Sequence, residues 1–585
     1  MMHRRTFMLL VGAASVATSQ TKLDDPILEA MRQELDRSLR LRIAGETPYY
    51  IEYALEQGTN LNCSATLGGL LLSRASAYRM PRVQVRVGNY DFDNTNCVYT
   101  GMVRGARFDN ESWPLEADNN QIRQDLWLAT DRSYKAAVET LSLKRAALKN
   151  VTQAEKLNDF AKQAPVVKVL PVPKISLDEK RSNDRVRNLS ALFTAYPKIL
   201  DSRVEYEEGL ATAYFGNTEG TFYRTPENIV NLRVRAEALA ADGTPLRDYL
   251  TFHAFEATGL PSEAQLTAAV HEMAKGLTAA CDAPLGESYS GPVLFENEAA
   301  CQLLAQLFGS NLAPLRAPVS EPGRPVNLPP SDLEGRIGSR IMPEYFEVTD
   351  DPFAKDAQGR RLFGGYEIDM EGVVPLVLPI VSKGTLKNFF LTRQPVRGFE
   401  GSNGRARLPG SFGASSALMS NLIVKANESV PLAQLKAKLL EIVKQRNKAY
   451  GIIVRKMDFP SSASLGEFRR VASLLQAGGG TRPVALPLAT YKVYPDGREE
   501  LIRGMRFRGL AARAMRDILA ASTETHRFDI LVNTYPLALM GAGGFVTGAT
   551  VVSPSLLFDE VDMDRPQEER PSPPVVPPPP IETGD

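Results

Sequence analysis

Histidine is nearly missing from this sequence: there are four in 585 residues, and His3 is one of them. Metal centres and proton-transfer sites draw heavily on imidazole, which leaves His253, His271 and His526 as the histidine candidates in the body of the chain. Cysteine is equally scarce, with four residues and no C-x-x-C spacing. That pattern excludes a zinc ribbon and a thioredoxin-like redox site. Charge of one sign is not in excess either, since Lys+Arg and Asp+Glu both number 68. A nucleic-acid footprint needs a basic surplus, so no nucleic-acid partner is expected. The apolar run from Phe7 to Ala17 falls short of the ~20 residues that a spanning helix requires, and no later stretch does better.

What is present describes a globular chain, with 43% hydrophobic and 23% charged residues. Its length exceeds one ordinary core, so two domains are expected. Residues 1–20 read as a signal peptide, because Arg4 and Arg5 precede the apolar run and small residues stand at Ala17 and Ser19. Arg4-Arg5-Thr6-Phe7-Met8 also fits a twin-arginine signal. Export to the periplasm or the extracellular space is therefore the expectation. In an exported chain, Cys63, Cys97, Cys281 and Cys301 are enough for two disulfides, with proximity favouring Cys63–Cys97 and Cys281–Cys301. Four buried free thiols are equally compatible with the sequence.

The fold class predicted is α+β. An N-terminal domain over 21–285 carries long helices and an antiparallel sheet, and a β-rich domain with a few helices follows over 286–563. Helical spacing marks 24–41, 122–148 (with a continuation toward Lys162), 184–196 and 262–280, the last capped by Ser262. Strands are predicted at 48–56, around Val83–Val87, as a hairpin over 203–223 turning at Asn217-Thr218-Glu219-Gly220, and as a pair over 230–238 and 248–255. Beyond Pro284, β-patterned text dominates, notably over 365–390 and 486–496. Helices are expected near 298–308, 431–450 and 511–520. The tail over 564–585 is dense in proline and is expected to be disordered.

Several short strings resemble the TldD/PmbA family of metallopeptidase-related proteins. In order they are Asn217-Thr218-Glu219-Gly220, Tyr289-Ser290-Gly291-Pro292-Val293-Leu294-Phe295, Asp350-Asp351-Pro352, Asp369-Met370-Glu371-Gly372, Lys383-Gly384-Thr385-Leu386, Met419-Ser420-Asn421 and Val552-Ser553-Pro554-Ser555. The Asp-Pro and Glu-Gly or Lys-Gly pairs are turn chemistry and do not by themselves imply catalysis. The resemblance implies a zinc peptidase site in active members, with two histidines of a helical H-E-x-x-x-H string and a later cysteine as ligands. It also implies that zinc-free members pair with a zinc-bearing homologue around an enclosed peptide chamber.

The corresponding helix here is Glu298-Ala299-Ala300-Cys301-Gln302-Leu303-Leu304-Ala305-Gln306-Leu307-Phe308. It has no histidine, and no cysteine follows Cys301. His271-Glu272 opens like a zinc motif but meets Lys275 and Gly276 where a second histidine is needed. His253 reads as a structural strand residue and His526 as an exposed residue after a helix end. Gly478-Gly479-Gly480-Thr481 lacks the P-loop ending. The expectation is therefore a non-catalytic member without a cofactor of its own, with zinc confined to a partner. The expected partners are peptide and a zinc-bearing homologue, or a second copy of the chain. Asn403, Ser420 and Asn421 are the candidate substrate-binding residues. The alternatives are an active metallopeptidase using other ligands, and a scaffold whose proline-rich tail docks a partner.

Overall fold

The computed structural model describes residues 23–98, 113–149, 156–410, 413–459, 484–533 and 546–565, apart from residue 117 and scattered positions between 322 and 330. The predicted signal peptide, the proline-rich tail and the glycine run at 478–480 lie outside the described residues.

Two sheets organise the chain, and the change from one to the other falls between Ala254 and Tyr289. The first has seven strands. Its spine is the hairpin Pro48–Thr66 and Gly69–Val87, followed by the long strand Ile199–Asn217. One half of that long strand pairs with Ile229–Leu239 and the other with Phe222–Pro226. The hairpin strands are 19 residues each, far longer than the predicted 48–56 and 83–87. Their middle carries little apolar alternation because part of it stands free of the core.

Helices α1 (Pro26–Ser38), α2 (Asn119–Leu148), α3 (Glu179–Ala191) and α4 (Glu263–Asp282) follow from local chemistry. Asp25 caps α1 by accepting from the amides of Ile27 and Leu28. Ser262 and Gln265 close a capping box on α4. All four helices cover one face of the sheet. Ile51, Tyr53 and Leu55 pack with α1 and α2, while Leu61, Cys63 and Ala65 pack with α3 and α4. These are the odd positions of one strand, which share a face by its period of two. The even positions look the other way, toward the C-terminal half. Arg82 donates to the Met370 carbonyl at 3.0 Å, and Gln84 and Arg86 donate to the Gly413 carbonyl at 2.7 and 3.0 Å.

The second sheet has eleven strands, with Val546–Asp564, Tyr289–Phe295 and Gly451–Met457 at its centre. α5 (Glu298–Phe308) covers one face and α6 (Leu432–Gln445) the other. Val293 and Phe295 join the core with α5, whereas Leu294 joins Leu435, Leu439 and Val443 of α6. Burial on both faces explains why these strands read as unbroken apolar runs.

Several predicted elements differ. The helix expected over 511–520 is a 3₁₀ turn, Ala512–Asp517, leading into the strand Ile518–Asn533. His526 consequently lies on that strand, half-buried opposite Ser553, and not exposed after a helix. Between 365 and 390 only Leu378–Ser382 and Thr385–Leu386 are strands; the rest is turns. Residues 156–162 are not helical, so α2 does not reach Lys162. All four cysteines are buried free thiols, and neither proposed pair is joined.

Candidate functional site

By the resemblance, α5 corresponds to the helix that carries the zinc ligands in active TldD/PmbA proteins. Aligning the H-E-x-x-x-H string on Glu298 puts Asn297 and Gln302 at the two histidine positions. Asn297 enters the helix at φ +49°, and its backbone amide donates to Ser555 Oγ at 2.9 Å. Gln302 is fully buried and every polar atom of its amide is engaged. Nε2 donates to Tyr249 Oη at 3.0 Å and to Glu298 Oε1 at 2.7 Å, and Oε1 accepts from the Met457 amide at 2.7 Å. Gln306, one turn on, accepts from the Ala485 amide at 2.7 Å. Nearby, Lys456 donates to Asp248 Oδ1 at 2.7 Å and to the Tyr249 carbonyl. Burial pushes the Glu298 carboxyl above its ordinary range, and the Lys456 charge opposes that rise.

These residues do not fit zinc. The ion takes imidazole, thiolate or carboxylate donors, whereas a carboxamide NH2 has no lone pair to give and the Gln302 oxygen is occupied. Cys301 is no substitute, because burial holds its thiol well above the ordinary cysteine range and it donates to the His526 carbonyl at 3.3 Å. A ligand must be the thiolate. Among the described residues no group of three or more His, Cys, Asp or Glu side chains is disposed to hold a metal. His271 accepts from or donates to Tyr196 Oη at 2.8 Å on α4, and His253 stacks on Phe363.

The strings that resemble the family meet at two buried nodes. At the first, Asp350 pairs with Arg405 at 2.7 Å, both fully buried, and accepts from the Ser420 hydroxyl at 2.6 Å. Asn421 Nδ2 donates to the Asp351 carbonyl at 2.7 Å, and Asn403 bridges the Leu391 amide and the Phe389 carbonyl. Ser420, Asn421 and Asn403 are thus committed to the interior, and none of them lines the cavity described below. Their side chains are engaged within the protein. Sequence reasoning saw polar residues, but not that a buried aspartate would hold Ser420 and that backbone groups would hold Asn421 and Asn403.

At the second node the halves of the chain meet. Arg393, fully buried, donates to Glu219 Oε1 at 2.8 Å and to the Ala161 carbonyl at 2.9 Å, and lies 4.0 Å from the Phe160 ring centroid. Beside it, Gly372 has φ +78°, and a Cβ there would come within 2.7 Å of Thr221 Cγ2. The Asp369–Gly372 turn therefore seats directly on the Asn217–Gly220 turn. Asp369 accepts from the amides of Glu371, Val373 and Ala406, but burial first, and then the Glu371 charge, push its carboxyl up to about 7.

Between the helix-free face of the first sheet and the C-terminal half lies a cavity of about 350 Å³. Even-numbered strand residues form one wall, among them Glu56, Asn60 and Asn62, with Glu207 and Glu227 beside them. Arg361, Phe363, Tyr366, Asp369 and Arg407 form the other. Glu56 is held by the Tyr78 hydroxyl at 2.5 Å, and burial raises its carboxyl above the ordinary range. Of these residues the sequence had marked only Asp369, because the walls come from segments hundreds of residues apart.

Residues 288–484 match the PmbA/TldA metallopeptidase C-terminal domain. The fold is similar to that of a putative modulator of DNA gyrase from Thermotoga maritima, with a TM-score of 0.55 and 13% identity over 92% of this chain and 99% of the other. It is also similar to TldE from Thermococcus kodakarensis, with a TM-score of 0.55 and 11% identity over 92% of this chain and all (100%) of the other. No curated protein matches the sequence. The match over residues 288–484 makes the C-terminal domain similar to the TldD/PmbA family, and the fold is shared with these structures along nearly the whole length.

Proposed function

We propose that this chain is a non-catalytic, exported member of the TldD/PmbA family. It binds peptide in the cavity between its two sheets and serves as a subunit beside a zinc-bearing homologue in a peptide-degrading or peptide-processing complex. The observation that carries the reading is Gln302: at a position matching a ligand of the family's helix stands a buried amide with both its NH2 and its oxygen hydrogen-bonded inside the protein. The chain then needs no cofactor of its own, and any zinc belongs to the partner. Export is supported by the basic, apolar and small-residue pattern of the first twenty residues. No helix among the described residues is long and apolar enough to cross a membrane.

Two measurements on the full chain test this. Tagged protein recovered from its native host should bring down a homologue bearing H-E-x-x-x-H, and the purified chain should carry zinc far below one equivalent. Stoichiometric zinc overturns the non-catalytic reading in favour of a peptidase with other ligands. Recovery of the chain as a lone monomer removes the subunit role, and a stable dimer of identical chains replaces the homologue with a second copy.

A further inference from the structure

The cavity is not electrically uniform. Its N-terminal wall carries Glu56, Glu207, Glu208 and Glu227 beside Arg82, whose charge is answered by Glu52 at 3.3 Å, and its C-terminal wall carries Arg361 and Arg407. The acids on that second wall already have partners: Glu367 pairs with Lys168 at 2.5 Å, and Asp369 is held by three backbone amides. Among the described residues the two arginines have no acidic ion-pair partner. Among the described residues Arg407 donates to neutral oxygens, namely the carbonyls of Gly364 at 3.2 Å and Gly548 at 3.1 Å and the Thr547 hydroxyl, with its guanidinium 3.9 Å from the Tyr366 ring centroid. Arg361 has its guanidinium 4.2 Å from the Phe255 ring centroid and makes no hydrogen bond or ion pair from it among the described residues. Partial desolvation pulls both guanidiniums below the ordinary arginine range, although Arg361 remains exposed and Arg407 is half-buried. Tyr366 and then Glu227 oppose the fall in Arg407, and Glu227 opposes it in Arg361, without closing an ion pair. Other described arginines that are perturbed, such as Arg86 and Arg455, are raised by a carboxylate alongside.

A guanidinium positioned by an aromatic face and lacking a counter-ion is a ready receptor for a carboxylate. We propose that the Arg361–Arg407 end of the cavity binds the free C-terminal carboxylate of the peptide. This rests on the peptide-binding reading above and specifies how the peptide is oriented. The acidic wall opposite repels a polyanion, so an isolated carboxylate is selected over nucleic acid or a strongly acidic chain. A space of this size admits a short segment and not a folded partner.

The test uses the immobilised full chain and an equimolar pool of randomised octapeptides, each present as the free acid and as the C-terminal amide, with retention read by mass spectrometry. Free acids should be enriched about tenfold over amides, the worth of one charge-assisted contact. Arg361→Gln removes no internal hydrogen bond and should cut that preference while leaving amide retention unchanged. Arg407→Gln should do the same in protein shown to be folded by circular dichroism. Equal retention of both forms by the unmodified chain overturns the carboxylate site but leaves peptide binding standing. Retention of Asp- and Glu-rich amides at the level of free acids overturns the assignment to the chain terminus. Retention of neither form overturns this inference together with the peptide-binding reading.

Discussion

A single amide shows how a catalytic position becomes a structural one. Gln302 links α5 to Tyr249 of the first sheet and to the Met457 amide of the second, so the same side chain that cannot ligate zinc ties the two halves together. Replacing it with leucine keeps the volume and strands a buried amide N–H. Gln302→Leu is expected to lower stability by about 1–3 kcal/mol, the cost of one buried unsatisfied polar group. Urea unfolding checks this, and a change within about 0.5 kcal/mol, the range of an ordinary surface substitution, would contradict it. That α5 lacks histidine was plain in the sequence. That Gln302 is tied to Tyr249 and Met457 was not, since these partners lie 53 and 155 residues away.

At the scale of one turn, Asp369 and Glu371 place two carboxyls in the interior of the domain contact. Burial and their mutual repulsion raise Asp369 from 3.8 to about 7, and burial raises Glu371 as well. Between those values the folded chain holds a proton that the unfolded chain has released, so stability falls as pH rises. The penalty is absent below about pH 4, the unfolded value, and fully present above about 7. Urea midpoints should therefore decline from pH 5 to pH 8. Glu371→Gln removes the repelling charge and keeps an acceptor for the Arg393 amide, so the decline should flatten; an unchanged slope would show that the pair is not its source. The turn itself was legible from Asp369, Glu371 and Gly372. Its seat against Thr221 was not, because nothing local to 369–372 records the neighbour that forbids a Cβ.

Across the whole molecule, Arg393 and Glu219 join halves separated by 174 residues. Arg393→Met leaves Glu219 without that buried partner and is expected to weaken the union by about 3–5 kcal/mol. The chain has two tryptophans, Trp113 and Trp127, both in the N-terminal half. Tryptophan fluorescence therefore follows that half alone, while far-ultraviolet circular dichroism follows both sheets. The two probes should give one midpoint in the unmodified protein and separate midpoints in the variant. Coincident midpoints in both would mean that the clasp does not couple the halves.

Period and punctuation in the sequence were sufficient for elements whose causes are local: α1 within 24–41, α4 with its Ser262 cap, and the hairpin at Asn217–Gly220. The same reading also established that α5 has no imidazole. Tertiary structure alone decided that Asn403, Ser420 and Asn421 are interior, that four cysteines stay apart, and that Arg361 and Arg407 share a cavity wall. The division has one physical reason: capping and periodicity act within a few residues, whereas burial and counter-ions depend on which distant segment comes to lie opposite.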